Sequence, residues 1–536
     1  MFQIVLVTLI NLWRRMGNAW RRMRFRRPVW VRIDIEGPLP EFAPALSWWQ
    51  RRFLGARQPL SLQALRRRCQ RLRDVPQVRG VLFVFGDLSV GWATIQSLRE
   101  IISDLRAAGT SVAAYLPGAD SRTYMAASAA DKVFMPPSAD LRLLGVRVEA
   151  LFLADSLRMA GLAAEVVAVS PYKSGGDQFA RASISPEAQE QFEQLAAQRF
   201  TILLNTIADA RGIPDEDLRR LIDSAPHSAP AAQQAGLIDA VLYEDELEQY
   251  LAGDAEKIAI RSWKALVRRL PLPMVRRDKK HVGVVSITGA ITQGPDRRSP
   301  LPVPLIGGEL SGSDRVIQAL RQAERDERMA ALVLHVDSPG GDAFASDLIW
   351  REVERLARKR PVVVSMGDVA ASGGYYVAAP AHAIVAQPAT ITGSIGVYAL
   401  RPNVAGLLER ASVGVAVIAH GTNSGIFSPI APLSENERAA LERSVAENYD
   451  RFRSCVRSGR ELSPAQLEPI AGGRVWTGEQ AVSIGLVDAL GGLPAAVARA
   501  RELAALPADP DAPLMLYSGL GLRDQLPPPP YNPRSC

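Results

Sequence analysis

One pattern occurs twice in this chain of 536 residues, at an offset of about 250. Val31–Gly37 (VRIDIEG) resembles Val282–Gly289 (VGVVSITG), and both are alternating runs that end in glycine. The apolar run Val81–Phe85 matches Ala331–Val336, and Val112–Tyr115 matches Val362–Ser365. Thr123–Ala127 matches Tyr375–Ala379, and Leu144-Gly145-Val146 matches Ile395-Gly396-Val397. Ala235–Asp239 (AGLID) matches Ile484–Asp488 (IGLVD). A fixed order at a nearly constant offset is the signature of an internal repeat. Each copy alternates short buried strands with amphipathic helices, about 92–107 in the first and 343–358 in the second. The expected fold is therefore α/β, built twice. The expected division is a first repeat over 28–250, a joining segment over 251–281 and a second repeat over 282–500, with a mobile Pro-rich tail over 505–536.

Composition supports a globular chain and excludes several classes. With 47% hydrophobic and 22% charged residues the chain as a whole is not disordered. No apolar run reaches the ~18 residues of a membrane span, which excludes a polytopic membrane protein. The net charge of +7 is unevenly spread. Residues 1–80 hold seventeen Arg and four acids, against 46 basic and 52 acidic groups in the rest. Met1–Trp13 is nearly all apolar, and seven Arg follow within residues 14–27. Leu12, Met16, Trp20 and Met23 fall on one helical face, with most of the Arg elsewhere. That is the pattern of an interfacial basic helix, so residues 1–27 are expected to meet an anionic membrane surface. No nucleic-acid motif accompanies the arginines. Cys69, Cys455 and Cys536 are too scattered for a disulfide framework, and five His leave a metal site little to draw on. No metal and no cofactor are expected.

Two Gly-rich turns in the second copy carry chemistry. Asp337-Ser338-Pro339-Gly340-Gly341 lies between a strand and a helix. Ala371-Ser372-Gly373-Gly374-Tyr375-Tyr376 follows the strand Val362–Ser365. A serine at a strand-to-helix turn presents its hydroxyl, and the next N–H can stabilise an oxyanion. Either Gly pair alone also fits a tight turn capped by serine. His335 lies inside an apolar strand, and His382 and His420 are no better placed as a base.

SPGG, ASGGYY, Thr392-Gly393-Ser394-Ile395-Gly396-Val397, Gly473–Gly478 (GRVWTG) and Gly485-Leu486-Val487-Asp488 together resemble the signal peptide peptidase A (protease IV) family. The likeness covers about 30–500 and its long, two-repeat form. It implies a tandem ClpP/crotonase-type fold and a serine peptidase with a Ser-Lys dyad. The segment Ser170–Gly176 (SPYKSGG) resembles the family's lysine-bearing segment, so the resemblance assigns Lys173 as base and Ser372 as nucleophile. The repeat agrees. The first-copy position matching Ser372 falls near Asp120, and the second-copy position matching Lys173 falls near Asn423. An ordinary lysine is charged at neutral pH, so burial must lower its pKa, with Tyr172 and Val166–Val169 as the expected apolar neighbours and Ser174 as an orienting partner. The expected oxyanion hole is Gly373 with Gly340 or Gly341, and Gly393, Ser394, Ile395 and Gly396 are expected to line an apolar substrate pocket. The family further implies apolar, signal-peptide-like substrates, a homotetramer, and a bacterial inner-membrane location on the periplasmic side. The Arg cluster after the apolar segment points instead to a cytoplasmic flank. Two rival readings are a crotonase-type acyl-CoA enzyme, with an acid as base, and a catalytically inactive membrane scaffold of the same fold.

Overall fold

The computed structural model describes residues 2–24, 28–44, 58–73, 75–253, 258–276, 280–299, 308–509 and 512–519. These divide into two compact units. One holds residues 1–146 and 199–281, and the other holds 147–198 and 282–519.

The first unit is built on a six-stranded parallel sheet. Its strands lie in the order 259–262, Val29–Gly37, Val78–Leu88, Ser111–Tyr115, Lys132–Met135, Ala240–Val241. Phe83, Phe85, Ile33 and Ile35 are fully buried along its central strands, as near-continuous apolar runs require in a sheet covered on both faces. The helix Trp92–Ala107 turns Ile95, Leu98, Ile102 and Leu105 inward at helical spacing. The joining segment does more than join: Ala259–Ser262 is the sheet's edge strand, with Val29 opposite Ala259.

The second unit repeats the plan. Its main sheet runs Val475–Thr477, Ile391–Gly393, Val362–Ala371, Met329–Ser338, His281–Thr288, Leu514–Leu516, with Ala383–Ala386 beside Val362–Ala371. The helix Ala343–Ala357 covers it, burying Ile349, Trp350, Val353 and Leu356. The edge strand Leu514–Leu516 lies within the stretch expected as a mobile tail, and Tyr517 donates its hydroxyl to Asp326 Oδ2 at 3.0 Å. The LPPPP run lies outside the described residues.

The recurring GL-D motif has the same physical role in each unit. Tyr124 donates to the Leu237 carbonyl at 2.5 Å, and Tyr375 donates to that of Leu486 at 2.9 Å. Asp239 accepts from Val133 N at 2.8 Å and pairs with Arg211 at 3.1 Å. Asp488 accepts from Ile384 N at 2.7 Å and pairs with Arg460 at 2.6 Å. Each motif thus ties a helix to the end of its sheet.

Residues 147–198, which sequence order assigns to the first repeat, fold into the second unit. Ala163–Ala168 pairs antiparallel with Tyr398–Asn403, from Tyr398 opposite Ala168 to Asn403 opposite Ala163. The buried Arg401 guanidinium pairs with the Glu165 carboxylate across this ribbon, its Nε at 3.0 Å from Oε2. Local patterning cannot foresee an exchange of this kind, because the pairing joins segments more than 200 residues apart.

At the N-terminus, Phe2–Arg24 is one helix. Asn11 and Asn18 each clamp an extended segment with both ends of their amides. Asn18 Nδ2 donates to Leu272 O and its Oδ1 accepts from Leu272 N, at 2.9 and 2.7 Å. Asn11 does the same at Val275, at 3.0 and 2.7 Å. Leu9, Leu12, Trp13, Met16 and Trp20 remain exposed, while the Met23 side chain lies outside the described residues. Among the described residues no helix is long and apolar enough to cross a membrane.

Candidate active site

Ser372 follows the strand Val362–Ala371 and stands at the start of the helix Gly373–Ala378. Its backbone stands at φ 53°, ψ −120°, a conformation costly for any residue with a Cβ. The surroundings hold it there: Ser372 N donates to Gly393 O at 2.9 Å, and Ser372 O accepts from Tyr376 N at 2.8 Å. The two glycines that follow are required by crowding. A Cβ on Gly373 would stand 2.5 Å from Ser346 Oγ, and one on Gly374 would stand 2.6 Å from Ser338 O. The SPGG turn comes equally close, since a Cβ on Gly340 (φ 100°) would lie 2.5 Å from Gly373 N.

Lys173 reaches this turn. Its Nζ lies 2.9 Å from Ser372 Oγ, 2.8 Å from the Ser394 carbonyl oxygen and 2.9 Å from Ser394 Oγ. Lys173 is 6% exposed, and no carboxylate pairs with it among the described residues. Burial pushes the amine down from its ordinary 10.5 to about 7. That corresponds to a bias on the order of 5 kcal/mol against the charged form.

The walls that bury the lysine differ from those expected. Tyr172 points away: its hydroxyl donates to Glu190 Oε2 at 2.9 Å, and the Arg474 guanidinium stacks 3.6 Å over its ring. The lysine stem lies instead between two glycines. A Cβ on Gly473 (φ 95°) would be 2.7 Å from Lys173 Cβ, and one on Gly396 would be 3.3 Å from Lys173 Cδ. Gln191, itself buried, ties the lysine segment to this wall. It donates to Tyr172 O and accepts from Val475 N, both at 3.0 Å.

Several expected roles change. Ser394, expected in a substrate pocket, is the residue that contacts Lys173, and Ser174 makes no such contact. Ser174 instead opens the short 3-10 turn Ser174–Gly176. Ser394 also holds φ 50°. Ile395 is fully buried in the core, so its side chain cannot line a pocket. Gly393 is used through its carbonyl on Ser372 N, and Gly396 through its lack of a Cβ beside Lys173. Gly340 drops out of the expected oxyanion hole because its N–H already donates to Ser338 Oγ at 3.1 Å. The N–H groups of Gly341 and Gly373 have no acceptor among the described residues. His335 is a strand residue opposite Ser365, His382 Nδ1 accepts from Val362 N at 3.1 Å, and His420 is exposed. The hydrogen bonds of Lys173 Nζ run to Ser372 and Ser394, not to a histidine.

Ser394 as the partner of lysine and Gln191 as a brace were not read from the sequence. Nothing local marks Gln191. The Gly472-Gly473 pair before Arg474 did carry a signal, since paired glycines often mark close approach. Among the described residues no group of His, Cys, Asp and Glu could hold a metal ion. Cys69 and Cys455 are buried free thiols, and Cys536 lies outside the described residues.

The chain is similar to known proteins. The pattern of "Peptidase family S49" matches the chain twice, over residues 105–257 and 354–507. The "Serine protease SPPA, chloroplastic" of Arabidopsis thaliana is 34% identical over 446 residues, covering 81% of this chain. This chain spans 64% of that relative's length. "Protease 4" of Haemophilus influenzae is 29% identical, over 81% of this chain and 71% of its own. "Protease 4" of Salmonella typhi is 28% identical over 529 residues, 94% of this chain and 83% of its own. Among solved structures, a ClpP1 point mutant from Listeria monocytogenes matches 40% of this chain and 94% of its own at 14% identity. With a TM-score of 0.27 that likeness adds nothing to the α/β repeat already described. The double match of the S49 pattern, over more than half of the chain, together with relatives named serine protease SPPA and protease 4, places the chain in one family: it belongs to peptidase family S49.

Proposed function

We propose that the protein is a serine endopeptidase in which Ser372 is the nucleophile and Lys173 the general base. The observation that carries this reading is the 2.9 Å approach of a buried lysine amine to a serine hydroxyl held at a strained turn. A neutral amine has two N–H bonds and one lone pair. The two Ser394 oxygens can take the N–H bonds, which leaves the lone pair for the Ser372 proton. Ser372 Oγ then attacks the scissile carbonyl carbon as its proton passes to Lys173 Nζ. The carbonyl oxygen becomes an anion and is met by the N–H groups of Gly341 and Gly373. When the tetrahedral intermediate collapses, the C–N bond breaks and Lys173 returns the proton to the leaving amine. Water next gives a proton to Lys173 and its oxygen to the acyl carbon, and the acid product leaves with Ser372 restored.

The substrates in this reading are apolar peptides of the kind left after signal sequences are cleaved. The helix Phe2–Arg24 would lie along an anionic membrane surface, its exposed Leu9, Trp13, Met16 and Trp20 entering the acyl boundary. The Asn11 and Asn18 clamps support an orientation fixed to the protein body. A fluorophosphonate probe tests the core of the proposal. It should label Ser372 covalently, more slowly in Lys173→Ala and not at all in Ser372→Ala. Failure to label the intact protein would overturn the dyad and favour acyl-CoA chemistry, which does not need the serine.

A further inference from the structure

Lys173 is held at both of its ends by one closed ring of hydrogen bonds, and an amide of the helix Pro186–Arg211 completes that ring. At the amine end, Nζ reaches both oxygens of Ser394, at 2.8 and 2.9 Å. Ser394 N donates in turn to Arg474 O at 2.7 Å. The next residue, Val475, gives its N–H to Gln191 Oε1, and Gln191 Nε2 donates to Tyr172 O, both at 3.0 Å. Tyr172 O belongs to the peptide unit that leads into Lys173, so the ring returns to the lysine at its backbone.

Gln191 is 4% exposed and lies on the buried face of its helix with Ala188 and Leu195. A polar side chain in such a place costs free energy unless both ends of its amide are bonded, and both are. Neither bond serves the helix itself, because Gln191 stands beyond the first turn, where side chains cap free N–H groups. Glu190, one residue earlier, repeats the clasp on the outside. It accepts from the Tyr172 hydroxyl at 2.9 Å and from Arg474 Nη1 at 3.1 Å. Those two bonds hold its carboxyl below the usual carboxylate range. Two consecutive residues thus join the same two segments, one through backbone groups inside and one through side chains outside.

The clasp closes the space around the lysine stem. A Cβ on Gly473 would stand 2.7 Å from Lys173 Cα, so the wall at 473–475 lies directly on the lysine segment. Burial is what lowers the pKa of the amine. The charged and titratable groups around it stand on the lysine segment (Tyr172, Asp177), the helix (Glu187, Glu190), the wall (Arg474) and the flanking Tyr398 and Tyr449.

We propose that Gln191 is a positioning residue for the base: its two hydrogen bonds keep the 170–176 segment shut against the 473–475 wall, so that water does not reach Lys173. The inference rests on the reading of Lys173 as the base. Gln191 bonds to Tyr172 and Val475 rather than to Ser372, so it acts through the lysine. Without the clasp the two segments part, water solvates the charged amine, and more of the base is protonated at neutral pH.

The test is the pH profile of Ser372 labelling by a fluorophosphonate on the full-length chain, with kcat and KM for a fluorogenic leucyl peptide alongside. Gln191→Leu and Gln191→Met nearly keep the side-chain volume and remove both bonds. In each, the acid limb, near pH 7 in the intact chain, should move up by at least about one pH unit. Labelling at pH 6 should then fall about tenfold and return to within about twofold of the intact chain by pH 9.5, with KM changed less than about threefold. Thermal midpoints at pH 9 show that the variants fold, and the unbranched Gln191→Met serves where the branched leucine disturbs the helix packing. An unmoved limb overturns the proposal. So does a loss of the same size at every pH, since a merely structural role lowers the amount of folded protein without changing when its base is protonated. If the intact chain itself does not label, or shows no limb near pH 7, the dyad reading fails and the clasp fails with it.

Discussion

Tyr124 and Tyr375 make the same hydrogen bond in their two units, and counting back three residues from each gives Ser121 and Ser372. The equivalence lies one residue from the sequence match, which put Asp120 there, so a serine stands at the same place in both copies, yet only one is presented at a strained turn. Ser121 sits within the helix Ser121–Ala127, capped by Asp120, and its hydroxyl accepts from Gly145 N at 3.1 Å. Ser372 precedes its helix at positive φ. The residues that follow explain the difference. Gly373-Gly374 let the SPGG turn press against the serine, whereas Arg122-Thr123 cannot. In the first copy the Arg122 side chain bridges the space instead, donating to Val90 O at 2.7 Å. The serine presented at the turn thus depends on two missing side chains beside it more than on the hydroxyl itself.

The largest expected effect breaks the comparison at the dyad. Ser372→Ala or Lys173→Ala should lower kcat on a fluorogenic leucyl peptide by at least ~10³-fold, with the circular dichroism unchanged. Ser121→Ala should leave kcat within about twofold and cost about 1 kcal/mol of stability through the lost Gly145 bond. Loss of activity in Ser121→Ala would end the asymmetry between the copies.

A smaller loss should follow from giving the second copy a side chain like the first. Gly373→Ala sets a Cβ 2.5 Å from Ser346 Oγ and should lower kcat by roughly 10²–10³-fold, with peptide KM changed far less. Removing the Ser394 hydroxyl is milder still. Ser394→Ala keeps the carbonyl contact and should lower kcat about 10-fold, shifting the acid limb of the pH profile. An unshifted limb would make Ser394 merely structural.

The smallest effects concern protonation. The base must be neutral, so kcat/KM for the intact protein should rise through about pH 7. Stability has the same sign. The folded amine titrates near 7 and the unfolded one near 10.5, so between these values the unfolded chain binds more protons and stability rises with pH. Below pH 7 the buried charge is a full penalty. Lys173→Met should therefore be more stable than the native chain by on the order of 2–4 kcal/mol at pH 6, with the gain fading toward pH 10. Chemical denaturation at both pH values measures it.

Much of the fold is legible in the sequence itself. The strands around Val31–Gly37, Val81–Phe85 and Val362–Ser365 and the helix over 92–107 followed from alternation and helical spacing, because buried parallel strands read as apolar runs. Ser372 and Lys173, singled out from the turn and the family resemblance, do meet. What was hidden depended on distant chain segments. The ribbon between 163–168 and 398–403 has no local signal for its partner. The strands Ala259–Ser262 and Leu514–Leu516 are too short to alternate convincingly. The N–H of Gly340 was lost to Ser338, a choice between neighbours that residue type alone does not decide.

The distance along the chain between Lys173 and Ser372, 199 residues, also sets a schedule. At 5–20 residues per second, ribosomes would deliver the serine roughly 10–40 s after the lysine. The pocket that buries the lysine stem includes Gly396 and Gly473, which arrive later still. In the proposed reading, a nascent chain therefore carries a base without a nucleophile, then a nucleophile beside an ordinary charged lysine. Hydrolytic power in that reading appears only after Gly473 has been made, 300 residues after Lys173, so the order of the sequence itself delays it.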